Sequence, residues 1–176
     1  MTTTTTDRIA NVVFIATCLV LVGVVGTRLW PGDRNVQARE DFLPRGSTDP
    51  FDLSEIGAGH NRLLCVFLSS TCRYCADSLA FYRGLVELAH ESPQSPQVVF
   101  VSLEPERAIE DYLRNNGVAP TPLVVRIARP DRIPGSPCLV MLDRSHRVQR
   151  SWAGRLSRRQ EAEVKALMSA SRVAGG

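Results

Sequence analysis

The sequence predicts an α/β fold, with a central mixed sheet flanked by helices and one transmembrane helix at the N-terminus. Short continuous apolar runs over residues 63–68 and 98–103 are typical of strands buried on both faces, and each precedes a segment with apolar residues at helical spacing. The 176 residues suit one ordinary domain with an appendage. A composition of 44% hydrophobic and 22% charged residues is normal for a globular protein and excludes general disorder.

Charge and cysteine content narrow the function classes. The formal net charge is +3 and the arginines are scattered, so we predict no nucleic-acid partner. Among the cysteines only Cys72 and Cys75 form a close pair, which does not resemble an extracellular disulfide framework. Zinc is disfavoured because structural zinc generally uses two close pairs, whereas Cys65 and Cys138 lie singly in predicted strands. We therefore predict a redox pair with no metal and no organic cofactor.

The N-terminal segment has the properties of a membrane anchor. Residues 9–27 carry no charge and would span about 28 Å as a helix, close to the hydrocarbon thickness of a bilayer. Trp30 fits the interfacial belt, so we predict an uncleaved anchor over residues 9–30. A cleaved signal peptide is the alternative, but the apolar run is long for one and no small-x-small cleavage site follows it. Counting basic residues favours a cytoplasmic C-terminal domain, because more arginines follow the helix than precede it.

The rest of the chain is predicted to form one domain between a linker and a short tail. The predicted segments are residues 1–8 as an N-terminal tail, 9–30 as the anchor, 31–58 as a linker and lead-in, 59–172 as the domain and 173–176 as a C-terminal tail. The predicted elements after the first strand are a helix that follows Cys75 and ends by Pro93, a strand at 98–103, a helix from Pro105 to Gly117, a short strand or extended connection at 123–127, antiparallel strands at 138–142 and 148–152, and a last helix. Ser157 and Gln160 form a capping-box signal for that last helix.

The close cysteine pair lies where a predicted strand turns into a predicted helix. The partial positive charge and free N–H groups of a first helical turn favour the thiolate form of Cys72, and the guanidinium of Arg73 adds to that field. Cys75 lies one turn further along the same face, so it can attack the Cys72 sulfur of a mixed disulfide. The pattern predicts Cys72 as the nucleophile, Cys75 as the resolving thiol and Arg73 as a tuning residue.

This order of elements resembles the thioredoxin superfamily, and especially its membrane-anchored TlpA-like members of bacterial envelopes. The resemblance covers residues 45–172. It rests on the C-x-x-C pair and on Gly135-Ser136-Pro137, which is similar to that family's G-T-P segment ahead of its fourth strand. It implies that Pro137 is a cis-proline that packs against the cysteine pair. It also implies that the backbone of Ser136 binds an extended substrate segment.

The sequence departs from the family pattern near the pair. A serine and a threonine replace the usual tryptophan before the pair, and Val66 stands where a buried acid is expected. Glu104 ends the neighbouring predicted strand at the same edge as the cysteines if those strands are parallel, so it is a candidate substitute general base. A surface carboxylate at a helix start is an equally good interpretation of Glu104. The dipeptide Arg73-Tyr74 differs from the Gly-Pro of reducing thioredoxins, which leaves the direction of electron flow open.

These patterns predict a membrane-tethered thiol-disulfide oxidoreductase that exchanges electrons with protein dithiols and disulfides. The resemblance implies a reductase at the bacterial inner membrane, with its domain facing the periplasm or cell exterior and supplied by an upstream membrane electron donor. One alternative is a peroxiredoxin-like peroxidase, since Ser69-x-x-Cys72 is similar to that family's T-x-x-C, although the preceding proline is absent. Another is a redox-sensing domain without turnover, which Val66 favours.

The other three cysteines are predicted to fill space. Cys65 lies within a strand, and free cysteine is commonly buried there. Cys138 follows the predicted cis-proline, so core packing is favoured and a regulatory mixed disulfide is the alternative. Cys18 is interpreted as an apolar filler of the anchor.

Overall fold

The computed structural model describes residues 14–17, 38–49, 51, 53, 62–118, 123–127 and 135–169. The chain divides into two units, residues 1–36 and 37–176. In the first unit the four described residues are helical. The remainder of the predicted anchor, with Cys18, and both predicted tails lie outside the described residues. No helix within the described ranges has the length and apolar character needed to cross a bilayer.

The second unit is an α/β domain whose strands and helices follow the predicted order. The described strands are β1 (Arg39–Glu40), β2 (Leu63–Phe67), β3 (Gln97–Ser102), β4 (Leu123–Arg126), β5 (Cys138–Leu142) and β6 (Val148–Ala153). The described helices are α1 (Arg73–Asp77), α2 (Leu79–Glu91), α3 (Glu106–Asn115) and α4 (Arg158–Ser169).

The strands form one mixed sheet in the order β1-β6-β5-β2-β3-β4. Strand β3 pairs in parallel with both β2 and β4, whereas β5 runs antiparallel to β2 and β6. Phe67 at the end of β2 lies opposite Val101 of β3 and Cys138 of β5. The carboxyl ends of β2 and β3 and the start of β5 therefore share one edge of the sheet. The predicted mixed sheet and the antiparallel last hairpin are confirmed.

Strand β2 lies at the centre of the core, as its apolar run predicts. All five of its residues are buried. Successive side chains of a strand point to opposite faces, so Leu64 and Val66 join the larger cluster, with residues of α2, α3 and α4, while Leu63, Cys65 and Phe67 join the smaller cluster on the other face. Residues of the lead-in segment, including Leu53, cover that second face. The strand that carries the cysteine loop is thus held from both sides.

The predicted first helix is broken in two at Ser78. Helix α1 ends at Asp77, α2 begins at Leu79, and Ser78 adopts φ −98° and ψ 1°. The Ser78 hydroxyl donates a hydrogen bond to the carbonyl of Tyr74 at 2.9 Å. Serine competes for nearby backbone groups in this way, which explains why a continuous apolar periodicity does not continue as one helix.

The predicted end of α3 at Gly117 and the predicted capping box at the start of α4 are both confirmed. Gly117 ends α3 with φ +73°, and the Val118 N–H donates to the Leu113 carbonyl at 2.9 Å. At the start of α4, the Ser157 N–H donates to Gln160 Oε1 at 2.9 Å, and the Gln160 N–H donates to Ser157 Oγ at 3.4 Å.

The start of the domain differs from the prediction, which treated residues 31–58 as linker and lead-in. Strand β1 lies in that stretch and pairs with β6. The Gln160 side-chain amide donates to the Ala38 carbonyl and to Glu40 Oε1, each at 3.0 Å. Arg150 of β6 forms ion pairs with Glu40, Asp41 and Glu163. A strand of two residues is too short to show a periodic sequence pattern. It is recognised only from its contacts with β6 and α4, which are distant in sequence.

We expect Leu64→Ala to lower the free energy of unfolding by about 2–5 kcal/mol, because Leu64 is 0% exposed at the centre of the sheet. Leu123→Ala is the matched control, since Leu123 is 39% exposed on the edge strand β4 and its truncation should change stability by about 0.5 kcal/mol or less. Chemical denaturation measures both. Equal losses in the two variants would contradict this description of the core.

Candidate functional site

Cys72 and Cys75 lie together at the turn that joins β2 to α1. Cys72 is the N-cap residue of α1, and its N–H donates to the Ser69 carbonyl at 3.2 Å. The Cys72 sulfur accepts a hydrogen bond from the Cys75 N–H at 3.2 Å. This is the geometry that the strand-to-helix pattern predicts, because the N-cap side chain faces the free N–H groups of the first turn.

The segment before β5 reaches the same turn from the other side. The Ser136–Pro137 peptide bond is cis, as the resemblance implies. The Cys72 thiol donates to the Ser136 carbonyl at 3.3 Å, and the Gly154 N–H donates to the Pro137 carbonyl at 2.8 Å. The sheet register explains the meeting, since Cys138 lies opposite the last residue of β2. Cys72, Cys75, Ser136 and Pro137, which are far apart in sequence, are thus brought to one place.

The two sulfurs of the pair lie in different environments. Cys72 is partly exposed, whereas Cys75 is 0% exposed and belongs to the larger core cluster. Burial raises the pKa of the Cys75 thiol, and the nearby Cys72 raises it further. One accessible sulfur and one sheltered sulfur, a single helical turn apart, can perform thiol-disulfide exchange in which the first meets a partner and the second closes the internal disulfide.

Glu104 is held in the loop that leads into Cys72. Its two carboxylate oxygens accept hydrogen bonds from Ser70, one from the N–H at 2.8 Å and one from the hydroxyl at 2.5 Å. Burial opposes ionisation of Glu104, but hydrogen bonds from Ser70 and Ser69 outweigh it, so its pKa lies below the ordinary value of 4.5. A carboxylate that is already occupied by donors and has a lowered pKa is a weak proton acceptor. The geometry favours a role in holding the loop over a role as general base.

The place expected to hold a buried acid is apolar. Val66 is 0% exposed and packs in the larger core cluster. Two tyrosines that the sequence patterns did not indicate, Tyr82 and Tyr112, have buried hydroxyls, and Tyr82 belongs to the same core cluster as Cys75.

The other residues singled out in the sequence differ in their exposure to solvent. Arg73 is exposed in the first turn of α1, next to Tyr74, which is 43% exposed. Cys65 is 0% exposed, which confirms its predicted place in the core, and Cys138 is equally buried. Burial raises the pKa of both thiols, so they stay protonated at neutral pH.

Comparison with solved structures places this domain in the thioredoxin-like fold. A candidate thiol:disulfide interchange protein DsbE from Chlorobium tepidum matches with a TM-score of 0.57 at 17% identity, over 73% of this chain and 98% of that one. The thioredoxin domain of a thiol-disulfide oxidoreductase from Bacteroides vulgatus matches with a TM-score of 0.53 at 16% identity, over 72% and 99%. A thiol-disulfide isomerase from Corynebacterium glutamicum matches with a TM-score of 0.53 at 15% identity, over 73% and 98%. No protein-family model matches the chain, and no curated protein matches it.

We expect the charge of Glu104 to contribute to stability in a pH-dependent way. Its pKa is lowered in the folded state, so the contribution is present above pH 4.5, the ordinary value, and is lost as the pH falls through the folded pKa. Glu104→Gln should therefore reduce the stability lost on acidification, and should cost about 1 kcal/mol at neutral pH, an amount discounted for partial exposure. Urea unfolding at a series of pH values measures this.

Glu110→Gln, which makes the same change on α3, is the control for Glu104→Gln. It should leave the acid dependence of the free energy of unfolding unchanged. An unaltered acid dependence in Glu104→Gln would show that Glu104 does not hold the loop through its charge.

Proposed function

We propose that this protein is a thiol-disulfide oxidoreductase that reduces disulfides in protein partners and is tethered to a membrane. One observation carries the proposal: the Cys72 sulfur lies between the Cys75 N–H and the Ser136 carbonyl, beside a cis-proline. The names of the similar structures, which include a thiol-disulfide oxidoreductase and a thiol-disulfide isomerase, support the same chemistry.

The reaction needs only the two thiols and a partner disulfide. The Cys72 thiolate attacks one sulfur of the partner, so the partner S–S bond breaks, a mixed disulfide forms and one partner thiolate leaves. Cys75 then gives up its proton and attacks the Cys72 sulfur, which releases the second partner thiolate. The two partner thiolates take up protons. The partner gains two electrons, and the Cys72–Cys75 pair loses two.

Groups around the pair supply binding and tuning. The backbone of Ser136, with Pro137 next to it, faces the reactive sulfur and would bind an extended segment of the partner. Arg73, the predicted tuning residue, follows Cys72 directly and is exposed in the first turn of α1. Glu104 fixes Ser70 and through it the loop before Cys72. Each of these side chains or backbone groups lies at the edge of the sheet that carries the pair.

The anchor and its surroundings complete the proposal. Residues 9–30 form a single spanning helix in the bacterial inner membrane, and the domain that follows includes β1 and the core residue Leu53 as well as residues 59–172. The domain faces the periplasm or the cell exterior. Proteins with disulfides are common in that compartment and would be its partners. The oxidised pair then needs electrons from another membrane protein, because the periplasm and exterior do not supply them.

We expect the Cys72–Cys75 pair of the full chain to oxidise and reduce reversibly. Equilibration with glutathione or dithiothreitol and counting of free thiols gives the reduction potential. A value of about −270 mV or below supports a reductase, whereas one of about −120 mV supports an oxidant. The chain should also reduce insulin with dithiothreitol as electron donor. Cys72→Ala should abolish this activity, and Cys75→Ala should accumulate the mixed disulfide.

Two results would redirect the assignment. Reversible oxidation of the pair without insulin reduction would support a redox-sensing domain, and rapid consumption of hydrogen peroxide would support a peroxidase. Failure of the pair to form a disulfide would overturn the oxidoreductase proposal. Cys65→Ala is the matched control, because Cys65 is a buried core thiol and its removal should leave both the thiol exchange and the measured potential unchanged.

We expect the full chain to stay with bacterial membranes after an alkaline carbonate wash, and the chain without residues 1–30 to appear in the soluble fraction. Alkaline phosphatase fused to the C-terminus should be active, since that enzyme folds only in the oxidising compartment. If expression of the full-length sequence gives a soluble product that lacks its N-terminal residues, the segment is a cleaved signal peptide instead. An inactive fusion would place the domain in the cytoplasm.

A further inference from the structure

Tyr74 and Leu103 expose large apolar side chains at the edge of the sheet that carries the cysteine pair. Tyr74 is 43% exposed in the first turn of α1, and Leu103 is 47% exposed directly after the end of β3. In the described part of the second unit one other large apolar side chain is exposed, that of Leu123, which lies opposite Val99 near the start of β3 and away from the pair. Single exposed apolar residues are ordinary, so the informative observation is that two of them lie at the reactive edge.

Hydrogen bonds hold the backbone at Leu103 close to the turn that leads to Cys72. The next residue, Glu104, accepts two hydrogen bonds from Ser70, one from the N–H at 2.8 Å and one from the hydroxyl at 2.5 Å. The Leu103 carbonyl accepts a hydrogen bond from Arg126 Nε at 3.3 Å. The backbone at Leu103 is therefore tied both to the cysteine turn and to the end of β4, while the side chain stays exposed.

The two exposed side chains lie within the span of a short extended segment that contacts the backbone of Ser136. Ser136 precedes β5, Leu103 follows β3, and β2 with its cysteine turn lies between those two strands. Two strand spacings are about 10 Å, a distance that three or four extended residues cover. A partner segment that contacts Ser136 while its disulfide reacts with Cys72 therefore reaches Leu103 as well. Tyr74 lies between the two cysteines in sequence and borders the same span.

Arg73 adds an exposed cation directly after the residue that carries the reactive sulfur. Its side chain forms no ion pair with any residue in the described ranges. Two carboxylates at this edge are already engaged. Glu104 accepts hydrogen bonds from Ser70, and Asp77 is paired with Arg155 at 3.4 Å. An exposed guanidinium without an internal partner can pair with a carboxylate of another molecule, so this position favours an acidic partner over a basic one.

We propose that Arg73, Tyr74 and Leu103 form a docking surface for an extended protein segment that carries a carboxylate and a large apolar side chain close to its cysteine. The proposal rests on the proposed thiol-disulfide exchange and adds the chemistry of the partner. Arg73 pairs with the carboxylate, and Tyr74 and Leu103 cover the apolar side chain. Backbone contact at Ser136 accepts any sequence, whereas contacts with these three side chains distinguish one partner from another.

Short peptides with one cysteine each, oxidised to symmetrical disulfides, are the probes. The glutamate peptide has a glutamate and a phenylalanine beside its cysteine, the lysine peptide has lysine in place of the glutamate, and the glycine peptide has glycine in place of the phenylalanine. In the reaction with the reduced full chain, the Cys72 thiolate breaks the peptide S–S bond and releases one peptide thiolate. Cys75 then loses its proton and attacks the Cys72 sulfur, which releases the second peptide thiolate. Chromatography of the released thiol gives the second-order rate constant.

Ratios of these rate constants separate docking from the reactivity of the sulfur. A change in the reactivity of Cys72 alters the rates with all three peptides by the same factor, because the same sulfur attacks each of them. The ratio of the glutamate rate to the lysine rate therefore measures the preference for charge. The ratio of the glutamate rate to the glycine rate measures the preference for an apolar side chain.

We expect the full chain to reduce the glutamate peptide about fivefold faster than the lysine peptide at low salt, and high salt should shrink this ratio. Arg73→Gln should remove the preference, and Arg73→Glu should reverse it. Arg144→Gln is the matched control and should keep the wild-type ratio, because Arg144 is exposed in the turn between β5 and β6, at the opposite edge of the sheet.

The glutamate peptide should also react faster than the glycine peptide. Tyr74→Ser and Leu103→Ser should each lower this ratio about threefold to fivefold, because each removes apolar surface that the phenylalanine covers. Leu123→Ser is the matched control, since it removes a similarly exposed leucine away from the pair, and it should leave the ratio unchanged.

A preference for the glutamate peptide that survives in Arg73→Gln, or that Arg144→Gln removes to the same extent, would overturn the inference. Equal loss of the apolar preference in Leu103→Ser and Leu123→Ser would overturn it as well. If the wild-type chain reduces none of the peptides, the proposed exchange function fails. That outcome differs from failure of the inference alone, in which the wild-type chain reduces all three peptides at the same rate.

Discussion

The pairing of β5 with β2 is the constraint on which the site depends. In this antiparallel pair, Cys138 lies opposite Phe67, so the chain leaves β2 and enters β5 at the same edge of the sheet. The cysteine turn follows one strand and the cis-proline precedes the other. A one-residue change of register would turn the side chains of β5 to the opposite face and separate Ser136 from the Cys72 sulfur. Every residue of β2 and β5 is buried, so this pairing lies within the core on both faces of the sheet.

At this edge of the sheet the sulfurs of Cys72 and Cys75 differ in their burial. Cys72 stays partly exposed because it is the N-cap of a helix, and Cys75 is buried because it faces the core one turn later. A polar contact behind the cysteine turn comes from outside α1, because Glu104, which follows β3, accepts two hydrogen bonds from Ser70. Val66, which stands where a buried acid is expected, lies in the apolar core.

Prediction and structure agree where a feature depends on residues close together in the sequence, and they differ where it depends on residues far apart. Strands with continuous apolar runs, the Gly117 stop and the Ser157–Gln160 capping box depend on neighbouring residues, so their patterns were sufficient. Strand β1 depends on pairing with β6 and on Gln160, which lies 120 residues from Glu40. The hydrogen bond from Ser70 to Glu104 likewise joins residues that are 34 positions apart. Such contacts leave no local pattern.

By itself the sequence determined the α/β class, the order of the main strands and helices, and the placement of Cys72 and Cys75 at a strand-to-helix turn. Periodicity and capping are local properties of a chain, so one chain segment is enough to show them. Only the tertiary structure decided that Ser136 contacts the Cys72 sulfur, that Glu104 accepts hydrogen bonds from Ser70, and that Cys75 is buried in the larger core cluster. These features arise from packing between distant segments, where burial and the supply of hydrogen-bond partners are set by the whole fold.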